Sequence, residues 1–335
     1  ERFAQEARIT GALEHPGVVP VYGLGHYPDG QLYYVMRFIE GETLSKAVSR
    51  YHKSGEEQCD PGQRRLEFRR LLNHFIDVCQ VIDYAHNRDI IHRDIKPDNV
   101  MLGCYGETLV VDWGLAKKMD EEELESESKD EHPSPVKIRS ASTTLPGSVV
   151  GTPAYMSPEQ ALGSVDQVGP ASDVYSLGAT LYRVLTGKFP FQGDTALEQV
   201  AAGNFKHPCE VAPDVPRALE AICVKAMSPE PEDRYESAGE LAADMECWLA
   251  DEPVSVYREP FLQRIFRFVR HHKVTVSASA ALLMTALIAV VVWLQVEASR
   301  DSQSLSDVQK NLGAGEEALA ANDLPKALMF FTQAE

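Results

Sequence analysis

The chain has 335 residues, with 32 Lys and Arg against 50 Asp and Glu, and a formal net charge of −18. Its 44% hydrophobic and 24% charged content excludes collagenous, wholly disordered and disulfide-scaffold chains. The acid excess argues against a nucleic-acid partner, because phosphate backbones need a basic surface, although a few backbone N–H groups and one metal ion suffice for a local phosphate site.

Six cysteines (Cys59, Cys79, Cys104, Cys209, Cys223 and Cys247) form no C-x-x-C pair and read as reduced thiols. The chain opens on Glu1 and stops at Glu335 inside a helix-like run, with no signal-peptide pattern. The expectation is an internal piece of a longer protein, an engineered piece being the alternative.

Residues 1–13 have helical spacing through Phe3, Ala7 and Ile9, closed by His15-Pro16-Gly17. Residues 18–26 and 31–39 read as two strands about the turn Pro28-Asp29-Gly30. A long amphipathic helix is predicted over 66–87, and a short apolar run follows at 109–111. Residues 120–131 hold eight acids and one base, and a Ser, Thr and Pro-rich stretch follows to 148. Such a block repels itself and stays solvated, so 118–148 is predicted to be a disordered insertion. Beyond Asp173 the pattern is mainly helical, with breaks at Gly187, Pro208, Pro213 and Pro229. Strands first and helices later indicate an α+β architecture.

Residues 274–296 are 23 positions without a charge. About 20 apolar residues span a hydrocarbon core as a helix, so this stretch is predicted to cross a membrane once. Arg258, Arg264, Arg267, Arg270 and Lys273 precede it, whereas Arg300 and Lys310 are the only Lys or Arg between positions 297 and 316. That asymmetry puts residues 1–273 on the cytoplasmic side and 297–335 on the other. The basic stretch 251–273 reads as a juxtamembrane segment, amphipathic from Phe261 onward.

Three motifs occur in order. His92-Arg93-Asp94-Ile95-Lys96-Pro97-Asp98-Asn99 follows the long helix. Asp112-Trp113-Gly114 follows the apolar run, and Gly151-Thr152-Pro153-Ala154-Tyr155-Met156-Ser157-Pro158-Glu159 follows the acidic block. Phosphoryl transfer needs charge neutralisation and in-line positioning more than covalent chemistry. Asp94 can orient the attacking hydroxyl, Lys96 can reach the moving phosphoryl group, and Asn99 and Asp112 can ligate Mg²⁺ through oxygen.

Over residues 1–250 the chain resembles the eukaryotic-type protein kinase family, in its membrane-anchored bacterial serine/threonine branch. The resemblance implies a bilobal kinase-like fold, ATP and Mg²⁺ as cofactors, and a protein hydroxyl as substrate. It makes Glu6 the helix glutamate that pairs with an ATP-binding lysine. It makes Met36 the gatekeeper, Arg37 to Ile39 the hinge that meets adenine, and Met101 the residue beneath the adenine ring. Thr152 would orient the substrate hydroxyl, and Arg93 would pair with an activation-segment phosphate, with Thr144 and Ser148 as the favoured acceptors. Glu159 and Arg234 would form a buried ion pair, and Asp173 would support the catalytic loop. Asp112-Trp113-Gly114 departs from the usual Asp-Phe-Gly, but the metal ligand is unchanged.

No glycine-rich loop or strand lysine precedes Glu6. The expectation is therefore a small lobe lacking its first strands, poorly ordered in isolation, and a fragment with little or no activity. The rival readings are a catalytically dead kinase-like receptor and a repeat-domain scaffold. Residues 315–335 resemble the middle of a tetratricopeptide repeat, which implies a peptide partner for a repeat array that starts within 297–335. The membrane helix also leaves room for a homodimer.

Overall fold

The computed structural model describes residues 2–54, 60–119, 153–193, 195–258, 272–321 and 323–334, with single positions at 260, 261, 264 and 269. Residues 1–258 form one compact unit and 259–335 a second.

The first unit opens with α1 (Arg2–Ala12), then the antiparallel ribbon of β1 (Val21–His26) and β2 (Leu32–Met36). The turn between these strands has Gly30 at φ 86°, and the Tyr27 N–H donates to the Gln31 carbonyl at 2.8 Å. The strands are shorter than the sequence pattern suggests. Val18 instead bridges to Val110, and the Arg37 N–H turns back to the Pro20 carbonyl at 3.2 Å.

β3 (Gly41–Thr43) leads into α2 (Leu44–Ser54) and then α3 (Pro61–His86). α3 starts five residues before the predicted position 66. Asp60 caps it, accepting from the Gln63 N–H at 3.1 Å, and Pro61 takes the first helical position, where its missing N–H costs nothing. The face of α3 carrying Leu72, Phe75, Cys79 and Ile82 is fully buried.

After α3 come β4 (Ile90–Ile91), β5 (Val100–Gly103), β6 (Thr108–Val110) and β7 (Lys117–Lys118). β3, β5 and β6 form one small antiparallel sheet, and β4 pairs with β7. Lys118 was expected at the head of the insertion, but it is paired with Ile90, and the Met119 N–H donates to the Asp89 carbonyl. The rest of the predicted insertion, 120–148, lies outside the described residues, as do Thr144, Ser148 and Thr152.

The helices α4 (Pro158–Ala161), α5 (Pro170–Thr186), α6 (Ala196–Ala201), α7 (Pro208–Val211), α8 (Arg217–Ala226) and α9 (Ala238–Leu249) complete the unit. α5 is its central helix, buried from Ser172 to Thr186 at every position but Arg183. It ends at Gly187 with φ 69°, where an added Cβ would sit 2.6 Å from the His52 ring. Only glycine meets both demands. The unit runs past α9, since Val254 is buried and Ser255 bonds twice to Asp244 at 2.7 Å.

The second unit holds α10 (Lys273–Ala320) and α11 (Leu324–Thr332). α10 is the one helix among the described residues long and apolar enough to cross a membrane. It continues unbroken well beyond position 296. α11 folds back along its end, burying Ala318 and Ala327, with Asn311 Nδ2 donating to the Gln333 carbonyl at 3.2 Å.

Candidate active site

The segment between β4 and β5 is a tight loop ending in a single 3-10 turn, Pro97–Asn99. It gathers three of the predicted residues. Lys96 Nζ donates to Asp94 Oδ2 at 2.6 Å, and Asn99 Nδ2 donates to the Asp94 carbonyl at 2.9 Å and to Asp94 Oδ2 at 3.2 Å. The Asp94 and Lys96 side chains keep only 14% and 17% of their surface exposed, so the carboxylate is held but still reachable.

Asp173, at the start of α5, holds the loop's backbone. Its Oδ2 accepts the His92 N–H and its Oδ1 the Arg93 N–H, both at 2.8 Å. His86 Nε2, in the last turn of α3, also meets Oδ2 at 2.8 Å. Burial works to raise the Asp173 pKa, but the His86 bond and charge, with the backbone donors, outweigh it and hold the carboxyl below its ordinary value. Arg93 sits at φ 69°, with its own N–H and that of His92 both held by Asp173. Gln160 Nε2 donates to the Arg93 carbonyl at 2.9 Å, tying α4 to the same loop.

Asp112 follows β6. The Val111 N–H donates to the Asn99 carbonyl at 2.9 Å, so the two loops are joined through backbone. Asp112 itself is exposed and has φ 64°. Trp113 is 1% exposed; its indole N–H donates to the Val110 carbonyl at 3.3 Å, and its ring lies 4.6 Å from that of His92. Burial lowers the His92 pKa, and its Nδ1 accepts the Asp94 N–H at 3.3 Å.

Glu6 comes to this point from α1. A Cβ on Gly114 would lie 3.2 Å from Asp112 Oδ1 and 3.3 Å from Glu6 Oε2, so the glycine lets two carboxylates approach one turn. The resemblance gives Glu6 a cationic partner. The structure gives it a neutral one, Tyr34, whose hydroxyl donates to Oε1 at 2.9 Å. Burial, offset in part by that bond, raises the Glu6 pKa, with Asp112 adding to the rise. The Tyr34 hydroxyl is pushed up to about 12 by burial and by Glu6.

Of the predicted adenine contacts, Met36 ends β2 and is 46% exposed, while Arg37 and Ile39 are half-buried in the segment after it. Arg37 also pairs with Glu107 at 3.6 Å, and its N–H is committed to Pro20. Met101 is half-buried in β5 between Thr43 and Leu109.

Glu159 and Arg234 form a two-pronged pair at 2.8 and 2.9 Å. The remaining Arg234 donors reach the carbonyls of Ser228, Ala171 and Pro229, each at 2.8 Å, so all five N–H groups are used. Burial works to raise Glu159, but its bonds from Arg234 and Ser172 prevail and lower it.

Sequence reasoning missed His86, Tyr34 and Gln160. Each acts on a partner at least 28 residues away in the chain, and none stands in a motif.

A family model described as a protein kinase domain matches residues 1–247. The chain is 38% identical over 258 residues to the serine/threonine-protein kinase PknD of Chlamydia pneumoniae, covering 75% of this chain and 27% of that one. It is 38% identical over 257 residues to PknD of Protochlamydia amoebophila (strain UWE25), covering 74% and 25%. Against PknD of Chlamydia trachomatis serovar D it is 35% identical over 262 residues, covering 76% and 27%. The matched part thus spans about a quarter of these curated relatives.

Proposed function

The chain belongs to the protein kinase family, in its eukaryotic-type bacterial serine/threonine branch, and we propose that it is the ATP-using, membrane-anchored kinase domain of a longer signalling protein. The observation that carries the reading is the Asp94, Lys96 and Asn99 cluster, joined by backbone to Asp112. Asp94 receives the proton of the attacking serine or threonine hydroxyl and aims its oxygen at the γ-phosphorus. Lys96, bonded to Asp94, would offset the charge of the transferring phosphoryl group. Asn99 fixes the Asp94 carboxylate through its amide nitrogen.

That leaves the Asn99 side-chain oxygen and the exposed Asp112 carboxylate as oxygen donors, the type Mg²⁺ takes. When bound, Mg²⁺ neutralises charge on the ATP phosphates. Met36, Arg37, Ile39 and Met101 are assigned to the adenine, and Glu6 to the partner of an ATP-binding lysine in a bilobal arrangement. Arg93 would read a phosphate at Thr144 or Ser148, and Thr152 would meet the substrate hydroxyl.

The exposed apolar length of α10, with basic residues ahead of it, supports a single-pass anchor with residues 1–273 cytoplasmic. The α10–α11 hairpin, closed on Ala318 and Ala327, supports a peptide-binding repeat start on the other side, and α10 offers a face for a homodimer. Residues 1–335 hold no glycine-rich loop and are proposed to transfer phosphate poorly by themselves.

The test is transfer of labelled γ-phosphate to protein by the full-length enzyme. Asp94→Asn is expected to slow it by about 10²- to 10⁴-fold, and Asp112→Asn to remove the Mg²⁺ dependence along with the activity. No transfer by the unaltered full-length protein, with no ATP binding, would overturn the reading.

A further inference from the structure

Asp112 holds a left-handed backbone at φ 64°, a sparsely populated conformation for a non-glycine residue, though one aspartate adopts more readily than most. Two tethers flank it. On one side the Val111 N–H is bonded to the Asn99 carbonyl at 2.9 Å. On the other the Trp113 indole N–H is bonded to the Val110 carbonyl at 3.3 Å, reaching back over Asp112 to the end of β6. Val110 is itself anchored: it pairs with Val100 in the sheet, and its N–H donates to the Gly17 carbonyl at 2.8 Å. The Trp113 bond therefore closes a short loop around Asp112 onto a rigid strand.

The ring does a second job. It lies 4.6 Å from the His92 imidazole, and His92 Nδ1 accepts the N–H of Asp94. One buried side chain thus touches both loops, the one that carries Asp112 and the one that carries Asp94. A phenylalanine could fill much of the same space and face the same imidazole. It has no N–H, and it would leave the loop untied at Val110.

We propose that Trp113 is a positioning residue that holds Asp112 in its metal-binding conformation through the indole N–H bond to the Val110 carbonyl. The proposal rests on the reading of Asp112 as a metal ligand. With the bond in place the loop is set before any cation or nucleotide arrives. Without it, part of the binding energy of each must go to ordering the loop.

The experiment uses the full-length protein, unaltered, as Trp113→Phe, and with benzothienylalanine inserted at position 113. The last keeps the shape of indole and replaces N–H by sulfur, so packing against His92 survives while the bond does not. The first readout is amide hydrogen exchange of residues 109–116 in metal-free protein. The second is the Mg²⁺ concentration needed for half-maximal ADP binding by calorimetry.

Both variants are expected to speed exchange in that segment, leave α5 unchanged, and raise the Mg²⁺ requirement by about two- to tenfold, the worth of one neutral hydrogen bond. Benzothienylalanine giving the exchange and Mg²⁺ dependence of the unaltered protein would overturn the proposal, reducing Trp113 to core packing. Asp112→Asn is run alongside. If it loses Mg²⁺-dependent ADP binding while the benzothienylalanine protein does not change, the metal-ligand reading stands and only the Trp113 proposal falls. If Asp112→Asn binds as the unaltered protein does, both fall.

Discussion

Helices α5 and α10 are both rich in apolar residues, and they meet the cost of that surface in opposite ways. α5 buries Val174, Leu177, Leu181 and Val184 completely within its own unit, together with the polar Ser172, Asp173 and Ser176. Those polar groups are bonded: Ser172 to Glu159, Asp173 to the backbone of His92 and Arg93, and Ser176 to the Tyr155 carbonyl at 2.8 Å. α10 leaves Leu282, Leu283, Ile288 and Trp293 more than half exposed, and no charged residue interrupts it between positions 274 and 296. In water each such residue forfeits about 1.5–3 kcal/mol of burial. Apolar content therefore does not distinguish a core helix from a helix proposed to span a membrane. What distinguishes them is whether the protein itself covers the surface and satisfies the polar groups among it.

The sharpest way to break the comparison is to put a charge into each helix. Leu177→Arg places an unpaired cation in a fully buried position, and the kinase domain is expected not to fold, as read by loss of its cooperative melting. Ile288→Arg with Val291→Arg costs about 2.5–3.5 kcal/mol per arginine at a bilayer centre, so the protein is expected to leave the membrane fraction while the kinase domain melts as before. If the α10 pair lowered the domain's melting temperature as α5 does, α10 would be a core helix and the contrast would collapse.

A smaller effect comes from the ion pairs. Glu159 and Arg234 are 4% and 0% exposed, and every Arg234 donor is satisfied. Glu159→Ala leaves a buried guanidinium short of two acceptors and is expected to cost about 3–5 kcal/mol in urea unfolding. Arg217 and Glu220 also meet at 2.9 Å, but the Arg217 side chain is 69% exposed. Arg217→Ala is expected to cost no more than about 1 kcal/mol. Equal losses from the two would mean that burial does not set their worth.

The Asp94 cluster was legible as a cluster because its members are close in sequence. Asp94, Lys96 and Asn99 lie within six positions, and hydrogen bonds join all three. Asp112 could be read from its own tripeptide, and Glu159, Asp173 and Arg234 from the family pattern. The start of α3 was missed because Asp60-Pro61-Gly62 looks like a loop until the Asp60 cap is seen. His86 escaped notice because its partner Asp173 is 87 residues on and nothing local marks the pairing. Tyr34 escaped for the same reason, since it answers a carboxylate across 28 residues. Short-range chemistry is written in the sequence as a pattern, whereas a hydrogen bond between distant elements appears only once the elements have packed.

The smallest expected effect is on the pH dependence of stability, and it separates half-buried histidines from buried carboxylates. Burial lowers the pKa of His52, assisted by Arg183 and Arg64 and opposed by its bond to the Val184 carbonyl at 2.9 Å. Burial likewise lowers His74, with Arg70 assisting and Asp77 opposing. Both start from an ordinary value of 6.5, so below it the unfolded chain takes up protons that the folded one refuses. Their contribution to stability is complete above 6.5 and is lost as pH falls through the window beneath it. Glu159 and Asp173 are also lowered, but from 4.5 and 3.8, so theirs persists until the pH drops below those values. Glu6 is raised from 4.5 and works in the opposite sense, gaining stability on acidification. Urea midpoints are therefore expected to fall between about pH 7.5 and about pH 5.5, before any carboxylate of the Asp173 or Glu159 kind is protonated. His52→Gln with His74→Gln keeps a donor at each position and removes their share of the titration, leaving that of the buried His92 and of His15. The double variant is expected to flatten the fall, and an undiminished slope would assign the loss to other groups.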